Sequence, residues 1–378
     1  MAGSGSTNQA TANAGGPDQP PPSECKNIPV WPGLALAVAI GLVYVLVAGG
    51  GTFRPGQSQS PHLVLIADAW LHGQLFVRRE ALQQLDQECR DRSFRPRLIE
   101  QVQRRRLPLT EAQKEGVLAT AVSPVQHDWS PVGDRYYGYW PPMPSLLMLP
   151  YVALAGIHAS DYLFTALVGA LSVLLIYMML RESHRASLLK LSPAGCAALC
   201  VLLGLGTVHF YCASVAHVWF TAQIVAVALL TLAVWLLLRA RGRPGWAAAA
   251  GTAFAAALLS RNPTLFVAPF FLVVLWKSGR PGCPPAAGRL ARLCCFMLPV
   301  LMGGLGQLAF NYARFGDVLE SGQAMQIESR LGNPRYIEDF RRYGHLHPHY
   351  LAQNLYYYFL NPSLPLSRRT GIRTFDPH

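Results

Sequence analysis

Apolar residues in this chain come in long unbroken runs, not in alternating or one-faced patterns. Residues 31–50, WPGLALAVAIGLVYVLVAGG, carry no charge, and about 20 such residues in a helix span a hydrocarbon core of about 30 Å. A polar stretch covers 51–140. Beyond it the apolar runs crowd together at 143–157, 161–180, 192–212, 217–238, 246–259, 263–276 and 293–310. From Asn311 onward the chain is polar and aromatic, with no further span. The pattern predicts an all-α, polytopic helix bundle over 31–310 with a large first loop at 51–140. A C-terminal segment, 311–378, follows. Residues 1–30 are rich in Gly, Ser, Pro and Asn and bury too little to order themselves, so a disordered tail is expected there.

The short basic loops set an orientation. RESHRASLLK (181–190), RARGRPG (239–245) and KSGRPGCPPAAGRLAR (277–292) are each net positive, which places them in the cytoplasm. The last span then sends 311–378 outside. The 143–157 run is short for a span: it is either a tilted or re-entrant half-helix, or the 181–190 loop breaks the rule. Within the large loop, residues 76–106 fit an amphipathic surface helix broken near Pro96, or a solvated helix of alternating charge.

Composition agrees with lipid. The chain has 378 residues, 51% hydrophobic and only 14% charged, against about 25% charged in soluble domains; the mean hydropathy is +0.23. A net charge of +12 raises nucleic acid as a partner, but Lys and Arg flank apolar runs and form no stripe interleaved with stacking aromatics. Nucleic acid is therefore not expected. Cys196, Cys200, Cys294 and Cys295 sit inside apolar runs, as small buried hydrophobes do, and no CxxC pair suggests zinc.

Candidate chemistry gathers at four places. In SPHLVLIADAWLHGQL (60–75), Asp68 lies in an apolar stretch with His62 before it and His72 after it. A carboxylate there is costly unless paired or used, so it either serves chemistry or caps or salt-bridges a neighbouring Arg. In QHDWSPVGDRYYGYWPP (126–142), Asp128, Asp134 and Arg135 stand beside Tyr136, Tyr137, Tyr139 and Trp140. Aromatic faces stack on sugars or apolar chains, and Arg presents a planar fork to phosphate; an interfacial aromatic belt is the plainer reading. In ALLSRNPTLF (257–266), Arg261 falls at a Pro263 break between apolar segments, either as an anion site or as a snorkelling side chain. His209 and His217 suit structural roles at a hairpin. His345, His347 and His349 alternate in the polar tail, a weak pattern for metal. No Walker motif, GxSxG elbow or HExxH is present.

Several of these stretches together resemble one family. A first span, an outer loop containing ADAWLHGQL, then GDRYYGYWPPMPSLLMLP entering the next apolar run, resembles the polyprenyl-phosphate-dependent GT-C glycosyltransferases. It is similar in layout to protein O-mannosyltransferases and aminoarabinose transferases, and to bacterial multi-spanning proteins with GT-C-like features. GLGTVHFYCASVAHVWFTAQ, LLSRNPTLFVAPFF and FNYARFGDVLESG look like later landmarks of that set. The resemblance implies a large extracytoplasmic loop at 51–140 and a multi-pass protein of the bacterial inner membrane. It further implies transfer of a sugar from a polyprenyl-phosphate donor to an extracytoplasmic lipid, glycan or protein acceptor. No cofactor is implied, although a divalent metal occurs in the family. The family's early loop acid would fall near Ser58, where this chain has none, and Asp68 is the nearest acid. The Lys before the paired prolines in aminoarabinose transferases is replaced by Tyr139-Trp140. On this reading Asp68 is the base, with Asp128 in reserve. His62, Arg135, Tyr136, Tyr137, Tyr139, Trp140 and Arg261 bind substrate, and the aromatic clump rims an outward-facing cavity. The rivals are a multi-spanning transporter or lipid-handling permease built on the Pro263 break, and a non-catalytic GT-C-like membrane protein.

Overall fold

The computed structural model describes residues 28–91, 110, 123, 125–240, 243–277, 285–330, 334–344, 347–356 and 359. Most of the expected tail, the 92–106 half of the expected surface helix, and His345 lie outside these residues. The described elements begin with α1 (Trp31–Ala48), α2 (His62–Leu71) and α3 (Arg79–Cys89). A hairpin of β1 (Ser130–Val132) and β2 (Arg135–Tyr137) leads to α4 (Met143–Ala155) and a 3-10 turn at Gly156–His158. Then come α5 (Asp161–Arg185), α6 (Pro193–Gly206), α7 (Val208–Val215), α8 (Val218–Ala240) and α9 (Pro244–Leu258). A 3-10 segment, Asn262–Val267, precedes α10 (Ala268–Lys277), α11 (Pro285–Phe315), α12 (Gln323–Arg330), α13 (Pro334–Tyr343) and α14 (His349–Leu355).

The architecture is an all-α membrane bundle with one small hairpin. Among the described residues, four helices are long and apolar enough to cross a bilayer: α1, α5, α8 and the Gly288–Phe315 part of α11. A fifth span forms if α6 and α7 count together. The 192–212 run, expected as one helix, is instead broken by 56°, because Thr207 leaves the helix and its hydroxyl caps α7 at the His209 N–H. At 263–276 the expected continuous run is likewise a 3-10 segment followed by the ten-residue α10. The segment α4 runs 13 residues with Pro150 inside it, so it remains a short apolar helix.

The chain packs as two compact units: residues 1–56 with 162–301, and residues 57–161 with 302–378. Unit 1 is apolar on both its inner and outer surfaces. Along α1, Gly33, Ala37, Ile40, Gly41 and Tyr44 turn inward, while Leu34, Val38, Leu42 and Val47 on the other face are exposed. Water would not tolerate so continuous an apolar patch, and hydrocarbon does. One core of this unit joins Tyr44, Ala166, Tyr177, Cys196, Cys200 and Ile224. Its polar atoms are satisfied locally: the Tyr44 hydroxyl donates to the Gly204 carbonyl at 2.7 Å, and the Tyr177 hydroxyl to the Pro29 carbonyl at 3.1 Å. A second core stacks Phe254, Phe271 and Phe296, with ring centroids 4.8–5.7 Å apart. Each such pair contributes about 0.5–1.5 kcal/mol beyond its buried area. Gly251 permits that stack, since a Cβ there would collide with the Phe296 carbonyl and the Pro299 ring.

Unit 2 buries apolar residues of its own, Leu65, Trp129, Trp140 and Met148 among them, and adds a set of polar contacts. The Asp161 carboxylate accepts the Ser58 N–H at 2.7 Å and the Ser58 hydroxyl. The Asp86 carboxylate takes Arg90 Nε at 3.0 Å, Gln126 Nε2 at 2.8 Å and the Ser123 hydroxyl.

Candidate functional site

The aromatic clump is organised by its hairpin. Ser130 pairs with Tyr137, Pro131 with Tyr136 and Val132 with Arg135, leaving Gly133-Asp134 as a two-residue loop. Gly133 has φ +61°, as the primed turns that match strand twist require. Alternation along β2 sends Tyr136 and Tyr137 to opposite faces, the first exposed and the second buried; Arg135, at the start of the strand, is exposed. Beyond the hairpin, Trp140 is 3% exposed and stacks with the half-buried Tyr139 at 4.4 Å. The four aromatics therefore do not form one open rim. Trp140 and Tyr137 face protein, and Tyr136 and Tyr139 keep open surface.

His62 closes this core from the first turn of α2. Its ring lies 4.6 Å from Trp129 and 4.8 Å from Trp140, which meet each other edge-on at 5.9 Å. Its Nε2 is 2.7 Å from the His127 carbonyl. Burial pushes its pKa below the ordinary histidine range, opposed by the His127 and Ser60 backbones and the Asp128 charge, with His127 adding to the depression. A neutral ring, donating from Nε2 to that carbonyl, is the form that burial selects.

The His127 backbone so held also carries a His–Asp pair. Asp128 is 4% exposed and has φ +64°, a left-handed conformation that Asp tolerates better than most residues but that still carries strain. Its Oδ1 is 2.8 Å from Nδ1 of the half-exposed His127 and accepts from Gln326 Nε2 at 2.9 Å. A buried carboxylate on Nδ1 fixes the imidazole tautomer and leaves Nε2 as the group available for proton transfer. The Ser130 hydroxyl, donating to the Gly322 carbonyl at 2.5 Å, fastens the same hairpin to the chain just before α12.

Asp68 occupies a different environment. It is 4% exposed in α2. Arg78 Nε donates to its Oδ2 at 2.8 Å, and His72 Nδ1 lies 3.6 Å from its Oδ1. The segment carrying Arg78 also extends the hairpin, with the Val77 N–H donating to the Tyr136 carbonyl at 2.9 Å. Phe76 beside it packs against Tyr137 at 6.0 Å and lies 4.4 Å below the Arg135 guanidinium. Asp68 is thus joined to the aromatic region through Arg78, in the ion pair that is the alternative to a catalytic role.

Arg261 belongs to unit 1. It is partly buried at the junction of α9 and the following 3-10 segment, where its carbonyl accepts the Thr264 hydroxyl at 2.8 Å and the Thr264 N–H at 3.1 Å. His209 lies 3.1 Å through Nδ1 from the Tyr44 hydroxyl, a structural contact. His347 and His349 pack against Tyr343 at 4.9 and 4.1 Å. No group of three or more His, Cys, Asp or Glu side chains placed to hold a metal occurs among the described residues.

Four residues outside the expected set shape this region: His127, Trp129, Gln326 and Arg314. Arg314 is 5% exposed. It donates to the Gly138 carbonyl, to Asn311 Oδ1 at 3.0 Å and to the Phe310 carbonyl at 3.3 Å, with its guanidinium 3.8 Å from the Phe310 ring centroid. Only its place in FNYARFG hinted at a role. His127 had a visible cue, the His-Asp dipeptide, whereas Gln326 stands 198 residues from its partner and had none. Compared with known proteins, the chain matches no family model, no curated protein and no solved structure.

Proposed function

We propose that this protein is an integral membrane glycosyltransferase that moves a sugar from a polyprenyl-phosphate donor to an acceptor hydroxyl, with the His127–Asp128 pair as its general base. The observation that carries this reading is the strained, buried Asp128 bonded to a half-exposed imidazole beside aromatic surface. In the transfer step, His127 Nε2 takes the acceptor O–H proton as the oxygen bonds to the anomeric carbon. The bond from that carbon to the phosphate oxygen breaks, and polyprenyl phosphate leaves. Asp128 stabilises the imidazolium. Tyr136 and Tyr139 offer faces to the sugar, and the exposed Arg135, held over Phe76, offers a cation to the phosphate. Asp68, neutralised by Arg78, positions the Val77–Tyr136 connection rather than serving as base. On this reading the isoprenoid chain stays in the bilayer and the transfer is extracytoplasmic.

The test is donor turnover by purified full-length protein in vesicles containing a synthetic polyprenyl-phosphate hexose. Release of free polyprenyl phosphate that depends on His127 supports the reading. No release from a panel of hexose and pentose donors would contradict it. One observation favours transport as a second reading: the α6–α7 bend and the 3-10 break after Arg261 resemble the discontinuous helices of transporter sites. Flux of a phosphorylated solute without donor cleavage would select it.

A further inference from the structure

We infer that unit 1 carries an anionic-lipid site at the basic end of α10 and α11, independent of the transferase reading. An open groove of about 390 Å³ is lined by Leu272, Val273, Trp276, Lys277 and Leu293. Four of these five are apolar, and Lys277 stands at the end of α10. Arg289 lies 5.7 Å from the Trp276 ring centroid. Arg292, next to the lining residue Leu293, is 4% exposed; its Nη2 reaches the Leu275 carbonyl at only 3.4 Å and its Nε has no hydrogen-bond partner. Its guanidinium therefore lies against the same turn of α10 that carries Trp276 and Lys277.

Among the described residues, none of these three cations pairs with a carboxylate. The sequence contains no Asp or Glu between Glu182 and Asp317. Glu182, the one carboxylate among the described residues of unit 1, sits 3.9 Å from Arg185. A buried cation without a partner is costly in a membrane setting, so an anion supplied from outside would lower the free energy. The groove's apolar walls select what carries that anion: a molecule with a hydrocarbon chain attached to a phosphate. The occupant is an anionic phospholipid of the surrounding bilayer, its chain along Leu272, Val273 and Leu293 and its phosphate at Lys277, with the nearly buried Arg292 contributing its charge rather than a direct contact. Trp276 sits at headgroup level, where indole rings collect. Basic pockets between spanning helices bind such headgroups by this chemistry.

The simpler role for Arg292, complementing the carbonyl end of α10, needs no lipid, and the experiment separates the two. Delipidated full-length protein in neutral detergent is titrated with phosphatidylglycerol, phosphatidylcholine or inorganic phosphate, and binding is read by native mass spectrometry and thermal shift. Phosphatidylglycerol is expected to bind and stabilise. Lys277→Gln and Arg292→Gln should each weaken it roughly fivefold, from about 1 kcal/mol per cation. Leu272→Trp, which fills the groove and keeps every charge, should also weaken it, so the test survives if Arg292→Gln fails to fold. Equal binding of phosphatidylcholine, an equal effect of inorganic phosphate, or unchanged phosphatidylglycerol binding in both Lys277→Gln and Leu272→Trp would overturn the proposal.

Discussion

Two arginines on α11 are nearly fully buried, and their surroundings differ. Arg314, in unit 2, donates to two backbone carbonyls and an amide oxygen and stacks on Phe310. Arg292, in unit 1, has one long contact to a carbonyl. Carboxylates follow the same division. In unit 2, Asp68, Asp86, Asp128 and Asp161 are buried and each is met by specific donors. In unit 1, Glu182 alone is described, beside Arg185. Acid–base chemistry needs ionisable groups that are buried yet satisfied, and unit 2 provides them. A bundle bathed in hydrocarbon minimises such groups, and the proposed phospholipid would supply Arg292 with the anion it lacks.

The largest stability effect should come from breaking the satisfied arginine. Arg314→Met removes three donated hydrogen bonds and the contact with Phe310, for a loss of about 3 kcal/mol. Proteolysis of unit 2 in detergent should accelerate accordingly, while Arg292→Met should cost less in the absence of anionic lipid. An equal loss in both would dissolve the contrast. Next comes the tight packing of unit 1. Gly251→Ala drives a methyl into the Phe296 carbonyl and should cost about 2 kcal/mol, whereas Gly306→Ala, with open space around it, should cost nothing measurable; thermal melts of the two variants check this.

The smallest effect is pH dependence. The pKa of His62 is depressed in the folded state, so between that value and about 6.5 the unfolded chain binds more protons. Stability is therefore complete above about 6.5 and is lost as pH falls toward the folded value. The loss should be under about 1 kcal/mol between pH 7 and 6, and His62→Gln should flatten this slope.

The spans were legible because an uncharged run such as 31–50 has few other homes. The break at Thr207 was not: both sides of it are apolar, and a single hydroxyl cap redirects the chain. The Gly133-Asp134 turn carried the ordinary hairpin signal but was overshadowed by the aromatics around it. Asp68 and Asp128 both stood out as candidate carboxylates, and the family resemblance ranked Asp68 first. Their difference lies in what surrounds them: Arg78 reaches Asp68 after the chain reverses beyond α2, and Gln326 comes to Asp128 from the far end of the sequence. Tyr136 and Tyr137 differ because strand alternation sends neighbours to opposite faces, and Trp140, beyond the strand, is buried against His62 and Trp129.

Whether the base is the His127–Asp128 pair or Asp68 is decided by one comparison of rates. Transfer from a synthetic polyprenyl-phosphate sugar is measured for His127→Gln, Asp128→Asn and Asp68→Asn, each checked for folding by its thermal melt. Losing a general base lowers the rate by about 10²- to 10⁴-fold, so the first two variants should fall in that range while keeping their fold. Asp68→Asn should lose about 2 kcal/mol of stability through its bond to Arg78 and retain transfer within a few-fold of wild type below its melting temperature. Full activity in His127→Gln together with collapse in a folded Asp68→Asn would make Asp68 the base instead.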